Sequence, residues 1–179
     1  MTAPTTGIDE ATGGLRVEWT APFDNSAAIT AYLIEAESQS GAWIAICDGT
    51  DTLVVETQRC IEPMATFSVI ETFNLPLEHV VSVRVSAQNE NGWSVVSDPS
   101  SGGAYVRTPP TFMNAPLRSS DTNDHQLHVY WVALSTDISI TGGSAIVSYG
   151  LEWDSGTAQA TWTQLSGFSS DSLATEFIV

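Results

Sequence analysis

The stretch Leu15-Arg16-Val17-Glu18-Trp19 decides the fold, because its apolar residues alternate with polar and charged ones. A period of two puts alternate side chains on opposite faces of a strand, so one face is buried and the other meets water. The same alternation recurs in residues 32–37 and 81–88, and no segment keeps the period of a helix. Turn residues such as Asn91-Gly92 separate these runs. Short alternating strands divided by turns predict an all-β sandwich.

The second informative feature is an internal repeat. Leu127, Val129 and Trp131 reproduce the spacing of the first stretch, and further apolar residues follow in the same order in both copies: Ile29, Tyr32, Ile34 and Trp43 in the first, Ile146, Tyr149, Leu151 and Trp162 in the second. Similarity in fixed order at a domain-sized spacing indicates one folding unit used twice. Pro109-Pro110 stiffens the chain between the copies, and the two prolines have no backbone N–H that could donate a hydrogen bond to a neighbouring strand. We therefore predict two consecutive sandwiches, residues 1–108 and 109–179.

The charge balance restricts the partners of the chain. It has 21 acidic residues against five basic ones, a net charge of -16. All five basic residues are arginines: Arg16, Arg59, Arg84, Arg107 and Arg118. A surface that binds nucleic acid needs clustered cations to displace counterions, so the composition argues against a nucleic-acid partner. The acidity is explained either by solubility or by diffuse binding of divalent cations.

Membrane insertion is not expected in this segment. It has no run of about 18 apolar residues, which a spanning helix would need. Residues 1–10 lack the basic and apolar regions of a signal peptide, so an export signal would lie outside the segment.

Cys47 and Cys60 are the two cysteines, and they bracket a polar, hairpin-like stretch. A disulfide between them would close a short loop, stabilise the fold by about 3 kcal/mol and place the protein in an oxidising compartment. The alternative is two buried free thiols, since cysteine also serves as a small core residue.

The histidines do not predict a catalytic or metal site. His125 and His128 have metal-ligand spacing, with Asp121 and Asp124 nearby, but that spacing on a strand sends the two rings to opposite faces. His79 has no cysteine or serine partner from which a triad could be built. We expect no catalytic residues, no metal and no cofactor.

Four carboxylates occupy matching positions in the two copies: Glu35 and Glu37 in the first, Glu152 and Asp154 in the second. A glycosidase needs two carboxylates that face each other across a cleft. Glu35 and Glu37 share one outward strand face, so we expect them to be solvated.

These patterns resemble the fibronectin type III family. Residues 15–22 and 29–35 look like strands B and C of that family, and residues 83–94 resemble strand F with its turn into strand G. The resemblance implies that Trp19 anchors the core between two sheets and that Asn89 shapes the F to G corner. By the same resemblance Tyr32, Trp131 and Tyr149 are core anchors.

The chain also departs from the family pattern. Val81 stands where the family usually has the tyrosine of the tyrosine corner. The second copy resembles strands A to C′ and E, and strands F and G are missing, so it is an incomplete sandwich. The insertion around Cys47 and Cys60 resembles a subtype found in long repetitive surface proteins of ciliated protists.

We expect a structural or adhesive extracellular module, not an enzyme, that belongs to a longer repetitive cell-surface protein or a filament. The expected partners are other copies of the chain or neighbouring repeats, and glycans are a further class. Two other functions stay open. One is a non-catalytic spacer or carbohydrate-contact module of a larger enzyme, and the other is a receptor ectodomain. The incomplete second copy is completed either by further chain or by a strand from another copy.

Overall fold

A computed structural model describes all residues, 1–179, and the chain forms two compact units, Met1–Thr108 (unit 1) and Pro109–Val179 (unit 2). Unit 1 contains seven strands: β1 (Thr5–Ile8), β2 (Leu15–Glu18), β3 (Ala31–Glu37), β4 (Trp43–Ala45), β5 (Arg59–Glu62), β6 (Val83–Asn89) and β7 (Gly92–Trp93). They form two antiparallel sheets, with orders β1-β2-β5 and β4-β3-β6-β7. This is the A-B-E and C′-C-F-G arrangement of a fibronectin type III-like sandwich.

The core of unit 1 lies between these two sheets. Alternate residues of each strand point into it, as the sequence pattern predicts: Leu15 and Val17 from β2, Ile34 and Ala36 from β3, Val83 and Val85 from β6. All six are fully buried. Trp19, just after β2, packs edge-on against Tyr32 with ring centroids 5.1 Å apart. The all-β prediction is confirmed.

Unit 1 also contains helical segments that the sequence pattern does not predict. Helix α1 (Thr52–Thr57) follows β4, and a 3₁₀ turn occupies Met64–Ser68. The stretch between the cysteines is therefore a helix and not a hairpin, and Cys60 lies inside strand β5. Asp51 caps α1 by accepting a hydrogen bond from the Leu53 N–H at 2.7 Å. Six residues are too few for a helical period to stand out from the flanking strands.

Unit 2 contains five strands: β8 (Leu117–Arg118), β9 (His128–Tyr130), β10 (Leu151–Trp153), β11 (Thr163–Ser166) and β12 (Glu176–Ile178). They form a β12-β9-β8 sheet and a two-stranded β10-β11 sheet. A one-turn helix, α2 (Ile138–Thr141), precedes β10. The strands correspond to A-B-E and C-C′, and none corresponds to β6 or β7. Unit 2 is thus an incomplete sandwich, as the sequence predicts.

The core of unit 2 is small. Trp131, Tyr149 and Leu151 are its buried residues, and partly buried side chains such as Val129, from β9, pack against them. The Trp131 and Tyr149 rings meet edge-on with centroids 6.4 Å apart, the geometry of the Trp19 and Tyr32 pair. Each unit therefore has its own aromatic anchor. Neither helix has the length and apolar character that crossing a bilayer requires.

Candidate functional site

The disulfide between Cys47 and Cys60 joins the two sheets of unit 1. Cys47 follows β4 and Cys60 lies in β5, and their Cα atoms are 6.3 Å apart. Neither thiol is free, so the alternative of two buried thiols is wrong. The bond also fixes both ends of the segment that carries α1.

The loop between Cys47 and α1 is held against strand β3. The Gly49 carbonyl accepts a hydrogen bond from the Tyr32 N–H at 2.9 Å. A Cβ on Gly49 would overlap the Tyr32 carbonyl oxygen, so only glycine fits there. Burial of Tyr32 raises the pKa of its phenol.

An apolar cleft of about 360 Å³ lies between α1 and β5. Leu53, Val54 and Ile61 line it, and Leu53 and Ile61 are exposed to solvent. Arg59 at one side forms an ion pair with the buried Asp9, with 2.7 Å between Nη2 and Oδ1. The cleft has no pair of acidic side chains facing each other across it, so its lining provides no glycosidase geometry.

A second concave surface lies where the loop after β2 meets the turn between β6 and β7. Phe23 and Trp93 line this cavity of about 230 Å³, and both are largely exposed. Asn89 holds the two loops together, because its side-chain amide donates to the Asp24 carbonyl at 3.0 Å and its Oδ1 accepts from the Asn91 N–H at 2.9 Å. These are the contacts that Asn89 makes at the position for which the family resemblance implies a corner role.

Three serines at a spacing of three extend the edge beyond β7. Ser94, Ser97 and Ser100 each donate a backbone N–H to a carbonyl of β6, at 2.8–2.9 Å, and each hydroxyl accepts the N–H of that same β6 residue at 3.0 Å. The β6 residues are Ala87, Val85 and Val83 in that order. We call these residues the serine ladder. The Ser-x-x-Ser-x-x-Ser spacing is the signal that could have predicted it.

On the outer face of the second sheet of unit 1, Arg84 lies between an acid and an aromatic ring. Its Nε is 2.9 Å from Glu35 Oε2, and its guanidinium carbon is 4.3 Å from the centre of the Trp43 ring. The Glu35 side chain is only 16% exposed. The expectation of a solvated Glu35 is therefore wrong, because the cross-strand neighbour Arg84 covers the carboxylate.

The matching carboxylates of unit 2 have other surroundings. Glu152 is exposed, and no ion pair involves it. Asp154 caps the turn after β10 by accepting the N–H groups of Gly156 and Gln159, both at 3.1 Å. Glu35 and Glu152 thus occupy equivalent positions, but only Glu35 has an ion-pair partner.

In unit 2 a histidine bridges two carboxylates. His128 Nδ1 lies 2.9 Å from both oxygens of Asp121, and Nε2 lies 3.2 Å from Glu176 Oε2. The hydrogen bond with Asp121 is the largest cause that raises the pKa of His128 above 6.5. Hydrogen bonds from Ser119 and His128 lower the pKa of Asp121. Both ring nitrogens are engaged, so the ring bridges the two carboxylates, and protonation of the ring turns these contacts into ion pairs.

The other candidate residues do not join a site. His125 is exposed in the loop before β9 and its backbone N–H bonds to Asn123, and His79 is exposed in the loop before β6. Asp124 is also exposed. No group of three or more histidine, cysteine, aspartate or glutamate side chains could hold a metal ion.

Comparison with known proteins adds little to this geometry. No family model matches the chain. No curated protein matches it either. Among solved structures, the FN1-FN3 domains of chicken CNTN1 align with 99% of this chain, at 16% identity and a TM-score of 0.36. The chain spans 55% of the length of that solved chain. The assignment of a fibronectin type III-like fold therefore rests on the strand order and register described above.

Proposed function

We propose that this chain is a structural or adhesive module of a longer, repetitive extracellular or cell-surface protein, or a subunit of a filament. One observation carries the proposal: the A-B-E sheet and the C-C′ strand pair, with the same tryptophan and tyrosine anchor, occur twice in succession. A repeated surface suits a function that multiplies contacts, whereas catalysis needs one specialised cleft. The partners we propose are other copies or neighbouring repeats.

The compartment is inferred from the disulfide and the charge. Disulfides persist in oxidising compartments and are rare in the cytosol. The net charge of -16 keeps copies soluble and disfavours polyanionic partners. The insertion between β4 and β5, which carries the disulfide and α1, supports the more specific proposal of a subtype like that of repetitive surface proteins of ciliated protists.

The proposal is tested by immuno-electron microscopy of intact source cells with an antibody raised against unit 1. We expect label on the outer surface, repeated at regular intervals along arrays or fibres. Label confined to the cell interior would contradict the extracellular assignment. Separate particles that each carry a catalytic domain would identify a spacer of a larger enzyme. A thiol-alkylating reagent should leave Cys47 and Cys60 of the same material unmodified before reduction and should modify both after a reductant is added.

A further inference from the structure

Two exposed aromatic side chains line the cavity between the loop after β2 and the turn that joins β6 to β7. Phe23 is 82% exposed and Trp93 is 51% exposed, and neither packs into the core of unit 1. Single exposed apolar side chains are ordinary, whereas two aromatic rings on one concave surface are typical of a ligand site. We call this cavity the loop cleft, and six of its lining residues are used below: Phe23, Asp24, Asn25, Gln88, Asn91 and Trp93.

The loop cleft also contains polar groups that the fold does not use. The side-chain amides of Asn25, Gln88 and Asn91 make no hydrogen bond within the chain, and Asp24 Oδ2 has no partner either. Each amide can both donate and accept a hydrogen bond, and the carboxylate oxygen accepts. Gln88 lies directly opposite Trp93 in the pairing of β6 with β7, so its amide and the indole share one face of the sheet.

The loop after β2 holds its part of the cleft in a strained conformation. Asn25 and Ser26 both have a positive φ, 53° and 67°, which residues other than glycine seldom adopt. Asp24 Oδ1 accepts the Ser26 N–H at 3.0 Å. The Asn89 amide donates to the carbonyls of Asp24 and Ala27, at 3.0 and 3.3 Å. Strained backbone held by such contacts is common at ligand sites, and a loop that is already ordered loses less entropy on binding.

We propose that the loop cleft binds one neutral hexopyranose unit of a glycan. The apolar C–H face of the sugar ring packs on the rings of Phe23 and Trp93, which removes apolar surface from water on both partners. The sugar hydroxyls, which donate and accept, bind the free amides and Asp24 Oδ2. The cavity of about 230 Å³ is smaller than the about 300–1,000 Å³ of sites for drug-sized ligands, so it suits a single ring.

Charge and hydrogen-bonding capacity favour this occupant over other ligands of the same size. A sugar with a carboxylate or sulfate group meets the Asp24 carboxylate and a chain of net charge -16, so anionic glycans are disfavoured. A quaternary ammonium group fits aromatic rings and a carboxylate, but it forms no hydrogen bond with the amides of Asn25, Gln88 and Asn91. A neutral hexopyranose uses all of these groups at once.

The probes are three neutral sugars, methyl α-mannopyranoside, methyl β-galactopyranoside and methyl β-glucopyranoside. Each is titrated into the isotope-labelled full chain and followed by NMR, with the indole N–H signal of Trp93 assigned by its absence from the spectrum of Trp93→Phe. We expect at least one sugar to shift this signal saturably, with a dissociation constant of about 1–10 mM for a ligand of this size. Methyl β-glucuronide, which adds a carboxylate to the third sugar, should not shift it.

Variants separate the loop cleft from the rest of the surface, with binding read at the backbone amide signals of the cleft. Trp93→Ala and Phe23→Ala should each weaken binding about tenfold, because each removes a stacking surface. Asp24→Asn keeps an oxygen for the Ser26 N–H but loses the charge-assisted hydrogen bond, so it should weaken binding about fivefold. Trp162→Ala is the matched control, because Trp162 is 54% exposed and lies in unit 2, and it should leave binding unchanged.

Three results would overturn the proposal. The first is no saturable shift with any of the three sugars, or binding that Trp93→Ala leaves unchanged. The second is saturable binding of tetramethylammonium in place of the sugars, which would identify a cation site. The third is self-association of the chain, abolished by Trp93→Ala in sedimentation velocity, which would identify a second copy as the occupant. Sugar binding does not require the repetitive array proposed above, and cell-surface labelling does not require sugar binding, so the two proposals fail separately.

Discussion

Asp9 is the only acidic residue of the chain that is buried. It lies in the turn after β1, where its Oδ2 accepts hydrogen bonds from the hydroxyl and the N–H of Thr12, at 2.8 and 3.1 Å, and its Oδ1 pairs with Arg59. The Thr12 hydroxyl is the largest cause that lowers the pKa of Asp9 below 3.8, and burial opposes it. The ionised form is therefore favoured in the folded protein.

The first prediction concerns the pH dependence of this carboxylate. Because the folded pKa of Asp9 is lowered, its contribution to stability is present above the unfolded value of 3.8 and disappears as the pH falls through the folded pKa. Asp9→Asn should therefore destabilise the chain at pH 7, and the difference from the wild type should shrink below pH 3.8. Urea unfolding at a series of pH values measures this. The adjacent exposed Glu10→Gln is the control, and a difference independent of pH would contradict the assignment.

The second residue-scale prediction concerns Gly49. A Cβ there overlaps a backbone oxygen of Tyr32, which cannot move without distorting β3. Gly49→Ala should lower the free energy of unfolding of unit 1 by about 1–3 kcal/mol, the usual range for overpacking. Gly7→Ala is the matched control, because the added methyl would meet only the flexible end of Arg16. Equal effects of the two substitutions in urea unfolding would contradict the packing argument.

At the scale of elements, the serine ladder replaces a regular edge strand. Its hydroxyls accept N–H groups that a continuous strand would satisfy with backbone carbonyls. Ser97 and Ser100 are buried, so water is not available to take their place. Each serine satisfies both the N–H and the carbonyl of its β6 partner, so these β6 groups are not free to pair with another chain.

Removal of one hydroxyl tests the ladder. Ser97→Ala leaves the buried Val85 N–H without its partner and should cost about 1–3 kcal/mol. Ser101→Ala, at an exposed position next to the ladder, should cost less than about 0.5 kcal/mol. The measurement is the free energy of urea unfolding, with amide hydrogen exchange at Val85 as a local readout. Unchanged protection of the Val85 amide would contradict the ladder.

His128 performs a connecting role between elements of unit 2, since it joins β9 to the preceding loop through Asp121 and to β12 through Glu176. Its folded pKa is raised above 6.5, so its contribution to stability is complete below pH 6.5 and is lost as the pH rises through the folded value. Unit 2 should therefore be more stable at pH 6 than at pH 9. This difference should diminish in Asp121→Asn.

The pKa of His128 can be read directly from its imidazole proton shifts by NMR. We expect a value above 6.5 in the wild type and a lower value in Asp121→Asn, because the substitution removes the main cause of the shift. A pKa that stays the same in this variant would show that the hydrogen bond has no effect on the titration.

At the scale of the whole molecule, two units with separate cores share one chain. The cores have no residue in common, and only unit 1 contains a disulfide. We therefore expect the units to respond separately to changes that affect one core. We also expect unit 2, which has the smaller core, to be the less stable of the two.

Loss of the disulfide tests this independence. The bond spans 13 residues, and removing a cross-link over a loop of this size should cost unit 1 about 3 kcal/mol. The double variant Cys47→Ser and Cys60→Ser should lower the unfolding temperature of unit 1 and leave unit 2 unchanged. Calorimetry of the whole chain, with tryptophan variants to assign each transition, measures both. An equal shift of both transitions would contradict separate units.

Local sequence alone predicted the alternating strands, the repeat and the core positions, whereas it left Cys47 and Cys60 open between a disulfide and two free thiols, and the structure joins them. The burial of Leu15, Val17 and Trp19 can be predicted from their spacing of two residues. This spacing places all three side chains on the same face of a strand, and that face is turned away from water. Helix α1 was missed, because its six residues are shorter than two helical turns and Asp51, its cap, is also a common turn residue.

The tertiary structure decided the polar partners. Arg59 meets Asp9 across a separation of 50 residues, Arg84 meets Glu35 across 49, and His128 meets Glu176 across 48. Periodicity tells which face a side chain takes, but it does not tell which strand lies alongside or in which register. Those pairings come from the order of strands in each sheet, and they distinguish the covered Glu35 of unit 1 from the open Glu152 of unit 2.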